Sequence, residues 1–226
     1  MSPSTDQEIS CRITKTLLLY VRESHAGSLG GLLDGLDLDE AYLSDANNWV
    51  SHAFLQVLYR RMIDILQDEQ SVYKMALASD RFQSLGMLDR IGRLLGNPGV
   101  IYAHAPEYNR MLKRNGDVSI LDRGDSWVLL EDCYHCSEQK TRYDCDYTRG
   151  IITGIPTIFE LPFAAVEELM CQVRSGKVRP QDLGGFSFLR RQGMPVPYPM
   201  ESDAKAVLLE ADLPALFRLP PGSEGS

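Results

Sequence analysis

The segment Asp117-Val118-Ser119-Ile120-Leu121-Asp122-Arg123-Gly124-Asp125-Ser126-Trp127-Val128-Leu129-Leu130-Glu131-Asp132 decides the fold, because the hydrophobic period of the chain changes there. Asp117 to Leu121 and Ser126 to Asp132 alternate or run apolar around Asp122-Arg123-Gly124-Asp125, which predicts a β-hairpin closed by a tight glycine-containing turn. Upstream, from about Ile9 to Arg114, apolar residues recur at three and four positions and β-branched runs are scarce, so that part is helical. Helices followed by antiparallel strands define an α+β domain: an N-terminal helical layer packed on a small antiparallel sheet with an embedded helix.

Within the helical part, Ile13, Leu17, Leu18, Tyr20 and Val21 open a first helix, with Thr14 or Thr16 as its cap. Ser51 caps an amphipathic helix carrying Phe54, Leu55, Val57, Leu58, Met62, Ile63, Ile65 and Leu66. Two more helices are expected around Val72 to Ala78 and Leu85 to Leu95, the second closed by Gly96-Asn97-Pro98-Gly99. A last one runs from Val100 to Lys113, with Ala105-Pro106 as a kink or a new start. After the hairpin, Thr141 to Asp144 is expected as a strand, Tyr147 to Ile158 as a helix, Val166 to Val173 as either, and Gly184 to Leu189 as a final strand. Residues 1 to 8 are expected to be disordered. Six of the twelve prolines fall between Pro195 and Pro221, so 191 to 226 is expected as a Pro-rich linker or tail.

The 226 residues suffice for one large domain, and 44% hydrophobic with 24% charged residues is an ordinary globular proportion. A net charge of -8 and a pI near 5.0 argue against a polyanion, so nucleic acid is not an expected partner. The longest apolar runs, such as Thr16 to Val21, fall far short of the roughly 18 residues of a membrane span, and the polar start is no signal peptide. No membrane partner is expected, and the location is read as cytoplasmic. The five cysteines, Cys11, Cys133, Cys136, Cys145 and Cys171, are an odd number with three of them clustered, which does not read as a disulfide framework.

Three stretches carry a family resemblance. They are Leu43-Ser44-Asp45-Ala46-Asn47-Asn48-Trp49-Val50-Ser51, Leu95-Gly96-Asn97-Pro98-Gly99-Val100-Ile101-Tyr102, and Cys145-Asp146-Tyr147-Thr148-Arg149-Gly150-Ile151-Ile152-Thr153-Gly154-Ile155-Pro156-Thr157-Ile158-Phe159-Glu160-Leu161-Pro162. With the continuation Val166 to Gly176, they resemble the sensory domains of the 4-vinyl reductase type over residues 9 to 190. The resemblance implies a fold shared with haem nitric-oxide sensors and vesicle-tethering subunits, with an apolar pocket between helices and sheet. It also implies a homodimer and an output module such as a histidine kinase, nucleotide cyclase or transcriptional activator. A ligand would act by binding one conformation better than the other. The expected function is thus non-enzymatic sensing of a small apolar or planar molecule; the alternatives are a cysteine-based zinc or redox sensor and a non-catalytic adaptor of the same fold.

The candidate pocket residues are Trp49, Phe54, Tyr73, Met87, Tyr102, Tyr108, Trp127 and Phe159, each of which also reads as plain core. Cys133-Tyr134-His135-Cys136 offers a CxxC, with Cys145 and Cys171 beyond it, so these four cysteines are the candidate zinc ligands. Aromatic-sensing members of the family carry a structural zinc. Their pattern matches at Cys145 and Cys171, but Gly185 or Phe186 stands where a further cysteine would follow, and Cys133, Cys136 or His135 would have to replace it. His52 and His104 are the candidate haem ligands. The Tyr-x-Ser-x-Arg signature of haem-binding relatives is absent, since Tyr143, Tyr147 and Arg149 do not reproduce it, so zinc is the expected cofactor and haem is not. Arg90, Arg93, Arg110 and Lys113 read as a solvated basic strip. No nucleophile elbow or set-apart carboxylate pair points to catalysis.

Overall fold

A computed structural model describes residues 7–24, 29–82, 97–124, 127–135, 140–168 and 206–210. The expected helix at Leu85 to Leu95, the strand at Gly184 to Leu189, most of the expected disordered N-terminus and most of Val166 to Val173 lie outside them.

The chain opens with β1 (Ile9–Ser10), antiparallel to β2 (Trp49–Val50), so that Ile9 faces Val50. Between them run α1 (Cys11–Ser24), α2 (Leu29–Leu33) and α3 (Glu40–Ser44). Cys11, Ile13, Leu17, Leu18 and Val21 form the buried stripe of α1. Thr14 and Thr16 lie inside this helix rather than capping it. The Thr14 hydroxyl donates to the Leu43 carbonyl at 2.6 Å, which ties α1 to α3. Asp39 caps α3 by accepting from the Tyr42 N–H at 2.8 Å.

Ser51 caps α4 (His52–Leu66) as its sequence predicts, accepting from Phe54 N–H at 3.2 Å. The helix ends at Gln67, whose φ of 52° is left-handed. α5 (Ser71–Leu77) follows, and then α6 (Pro98–Ala103) and α7 (Ala105–Leu112). Asn97 and Pro98 start α6: the Asn97 side chain accepts from Val100 N–H, and Pro98 occupies the first turn, where a missing N–H costs nothing.

The hairpin is β3 (Gly116–Arg123) with β4 (Trp127–Tyr134), as expected. Period-two alternation turns Val128, Leu130, Asp132 and Tyr134 of β4 inward, and all four are buried. The expected strand at Thr141 to Asp144 is instead the start of α8 (Arg142–Gly154). Thr141 and Asp144 form a capping box, each side chain accepting from the other's backbone N–H. A 3-10 turn (Ile155–Phe159) leads to β5 (Ala165–Glu168). β6 (Ala206–Glu210), inside the stretch expected as a tail, pairs antiparallel with both β4 and β5, so the sheet order is β3-β4-β6-β5.

The fold is α+β, with the helical layer on the antiparallel sheet. α8 packs directly on α5, and glycine permits the approach: a Cβ on Gly150 would lie 2.5 Å from the Tyr73 carbonyl oxygen and 2.7 Å from the Ala76 Cβ. The main core joins α1, α3, α4 and α5 through residues such as Leu17, Leu43, Leu58, Met62 and Met75. A smaller cluster of Tyr102, Val128, Leu130 and Ile152 seals α6 and α8 onto the sheet. No described helix is long and apolar enough to cross a membrane.

Candidate functional site

Between the two clusters lies a cavity of about 120 Å3. Ile9 and Ile13 close one end. Leu55 and Tyr59 come from α4; Ile101, Tyr102, Ala105, Tyr108, Asn109 and Leu112 from α6 and α7; Val118, Leu130 and Tyr134 from the hairpin. α8 and the 3-10 turn supply Asp144, Tyr147, Thr148, Ile151, Ile152, Ile155 and Ile158, and Lys113 completes the lining. The walls are overwhelmingly apolar. An engineered apolar cavity of about 150 Å3 stays dry and binds benzene or xenon, so this volume suits a single small ring.

Two buried polar clusters form the floor. In the first, His52 Nε2 lies 3.0 and 3.1 Å from the two carboxylate oxygens of Asp144. Gln56 donates to Asp144 at 3.1 Å, and both the Thr141 N–H (2.7 Å) and the Thr141 hydroxyl (2.8 Å) donate to it. Burial pushes the Asp144 pKa up, but the hydrogen bond and charge of His52 and the Thr141 donors outweigh it and hold the carboxyl below the usual carboxylate range.

In the second, the Lys113 ammonium meets Asp132 at 2.5 Å, and the Lys140 ammonium reaches the other oxygen of Asp132 at 3.2 Å and its carbonyl at 2.6 Å. The Thr148 hydroxyl also donates to Asp132. Tyr134 joins the two clusters. Its hydroxyl bonds Asp144, its ring packs edge-on to His52, and the Lys113 and Lys140 ammoniums sit 4.6 and 4.9 Å from the ring centroid. Burial raises the pKa of Tyr59, Tyr102, Tyr134 and Tyr147 above the usual phenol value, and neighbouring carboxylates add to the effect at Tyr59 and Tyr134.

Of the expected pocket residues, Tyr102 and Tyr108 line the cavity. Trp49 instead lies under Arg114, with the guanidinium carbon 3.7 Å from its ring centroid, and Tyr73 lies under Arg149. Phe54 packs against the helical core, Trp127 and Phe159 are not among the lining residues, and Met87 lies outside the described residues. Lys113 is not part of a solvated strip: its side chain is only 10% exposed, because Asp132 draws it inward. Of the polar floor, the sequence singles out only His52, as a haem-ligand candidate; Gln56, Asp132, Lys140 and Asp144 are not among its candidates. The inward alternation of β4 marks Asp132, and the Thr141-x-x-Asp144 box marks Asp144.

Of the candidate zinc ligands, Cys145 is buried on α8 and Cys133 is half-buried on β4, while Cys136 and Cys171 lie outside the described residues. Among the described residues no three His, Cys, Asp or Glu side chains gather as a metal site.

The fold is similar to that of haem nitric-oxide/oxygen binding (H-NOX) domains. Solved structures of that class match nearly the whole chain. An H-NOX protein mutant from K. algicida in the unliganded Fe(II) form superposes with a TM-score of 0.58 at 6% identity, covering 93% of this chain and all of the other. An oxygen-binding H-NOX domain related to soluble guanylate cyclases, in its oxygen complex, gives 0.55 at 11% identity over 94% of this chain and 96% of its own. A structure from work on haem distortion in the H-NOX family gives 0.54 at 11%, covering 95% and 100%. The sequence itself matches no protein-family model and no curated protein.

These neighbours correct the cofactor expectation. Zinc is expected from the cysteines and haem is dismissed for want of one signature, yet the structures that share the fold are those of haem proteins.

Proposed function

We propose that this chain is a sensory domain of the 4-vinyl reductase type that takes a small apolar or planar molecule into the cavity between its helical layer and sheet. The observation that carries the reading is the cavity itself: room of about 120 Å3 lined by side chains from both the helices and the sheet. An adaptor with no ligand would have its interior filled, since native cores pack to near crystal density. The ligand would favour the arrangement in which α7 and α8 close on it, and a homodimer would pass this bias to an output module such as a histidine kinase, cyclase or transcriptional activator. The family resemblance supports the dimer and the output.

A second reading places haem in the same cavity, and a specific observation favours it. His104 immediately precedes α7, whose Ala105, Tyr108, Asn109 and Leu112 line the cavity, and its ring packs 6.4 Å from that of Tyr108. An imidazole is a donor type that holds haem iron, so His104 would hold the group from the edge of the cavity, its side chain being half-exposed beside Glu107 and outside the lining itself. Haem bound there would supply an iron able to take up a diatomic ligand. A macrocycle needs more room than a benzene-sized void, which is why the single-ring ligand is the first reading.

Native mass spectrometry of the protein as isolated, with a visible absorption spectrum of the same sample, tests both. A bound organic mass without a haem band supports the first reading, and a haem band lost in His104→Ala supports the second. A protein that takes up neither haem nor any small aromatic added in excess contradicts both.

A further inference from the structure

Resting on the reading that the cavity is a ligand site, we propose that its ligand carries a carboxylate on an apolar body, and that Lys113 receives it. The charges at the floor point to this. Lys113 and Lys140 both reach the single carboxylate of Asp132, and all three side chains are at least nine-tenths buried. The carboxylate in the lining, Asp144, sits at the hydroxyl end of Tyr134 and is engaged by His52, Gln56 and Thr141, whereas both ammoniums lie over the ring. Asp146, also on α8, meets the Arg142 guanidinium. Among the described residues two ammoniums thus share one carboxylate, and a buried cation short of a counter-charge is costly unless something supplies it.

Of the two, Lys113 lines the cavity and Lys140 does not. Its ammonium can keep one proton on Asp132 and donate another to a ligand, since it has three. Thr148, whose hydroxyl bonds Asp132, stands beside it in the lining and can reorient toward the same guest. Apart from Asn109 and Asp144, whose carboxylate is already engaged by His52, Gln56 and Thr141, the rest of the lining is apolar or phenolic, which fits a ring or short branched chain with one anionic end. Lys140 then serves as a positioning residue, holding Asp132 so that Lys113 is not fully neutralised.

The test compares benzoate with benzamide, equal in shape and differing in charge, by calorimetric titration into the full chain. Benzoate is expected to bind about ten- to a hundredfold more tightly, the range for a hydrogen bond to a charged group. Lys113→Met leaves Asp132 paired with Lys140, so the protein keeps a one-to-one ion pair, and it is expected to erase the preference while still binding benzamide. Lys140→Met, which lets Asp132 neutralise Lys113, is expected to reduce the preference without moving benzamide. Equal binding of the two molecules, or a preference that survives in Lys113→Met, overturns the inference and leaves the cavity reading intact. Failure of both molecules to bind the wild-type chain overturns the inference and the single-ring reading together.

Discussion

His52 and Asp144, 92 positions apart in sequence, meet at 3.0 Å beneath the cavity, both almost fully buried. The first residue of α4 and the third of α8 are thereby locked to each other, and Gln56, one turn further along α4, adds a second tie. Asp144 thus caps its own helix and holds a second helix against it.

Asp144→Ala strands the His52, Gln56 and Thr141 donors at once. It is expected to cost about 3–5 kcal/mol, the range for removing one partner of a buried pair. Asp144→Asn keeps the shape and should cost about 1–3 kcal/mol. Urea unfolding curves measure both, and an equal loss for the two variants would show that the charge of Asp144, not its shape, carries the whole effect.

Acid should weaken the fold through the same residue. The folded pKa of Asp144 is depressed, so its contribution is complete above the unfolded value of ~3.9 and is lost as the pH falls through the lower folded value. Asp144→Asn should flatten this part of the stability profile. At the alkaline end, Tyr59, Tyr102, Tyr134 and Tyr147 have raised pKa values, so their contribution is complete below ~10 and is lost as the pH rises beyond it. Their tyrosinate absorbance should therefore appear together with unfolding, not before it.

Gly150→Ala pushes a methyl group into the backbone of α5 at Tyr73 and into Ala76. Backbone cannot step aside as a side chain can, so a loss of about 1–3 kcal/mol is expected, the usual range for overpacking. Gly30→Ala, where nothing lies within 4 Å of the added carbon, is the control and should be neutral or mildly stabilising, since it removes a glycine from a helix. Thermal unfolding of the pair measures the contrast.

Much of the fold is legible in the chain because local signals agree with tertiary ones. Ser51 before an amphipathic run gives α4, and the alternation flanking Gly124 gives the hairpin. Thr141 to Asp144 reads as a strand because four polar and aromatic residues carry no period; only the reciprocal hydrogen bonds of a capping box distinguish it as a helix start. Asn97-Pro98 reads as a helix end by the same ambiguity, as a proline ends one helix and begins another equally well. The cavity is less legible. Tyr102 and Tyr108 can be chosen from aromatic spacing, but Trp49 and Tyr73 share that spacing and are covered by arginines. Lys113 looks solvated beside Arg110 because the carboxylate that draws it inward stands 19 positions away.

The central claim is that the space between helices and sheet receives a ligand, and thermal unfolding with a saturating small aromatic tests it most directly in two proteins, the wild type and Ala105→Phe. Ala105 is the smallest side chain in the lining, and phenylalanine there would occupy the space itself. A ligand at about a hundred times its Kd should stabilise the wild type by roughly 2.7 kcal/mol, visible as a rise of several degrees in Tm, and leave the filled variant unmoved. An equal rise in both proteins, or none in the wild type, would contradict the account.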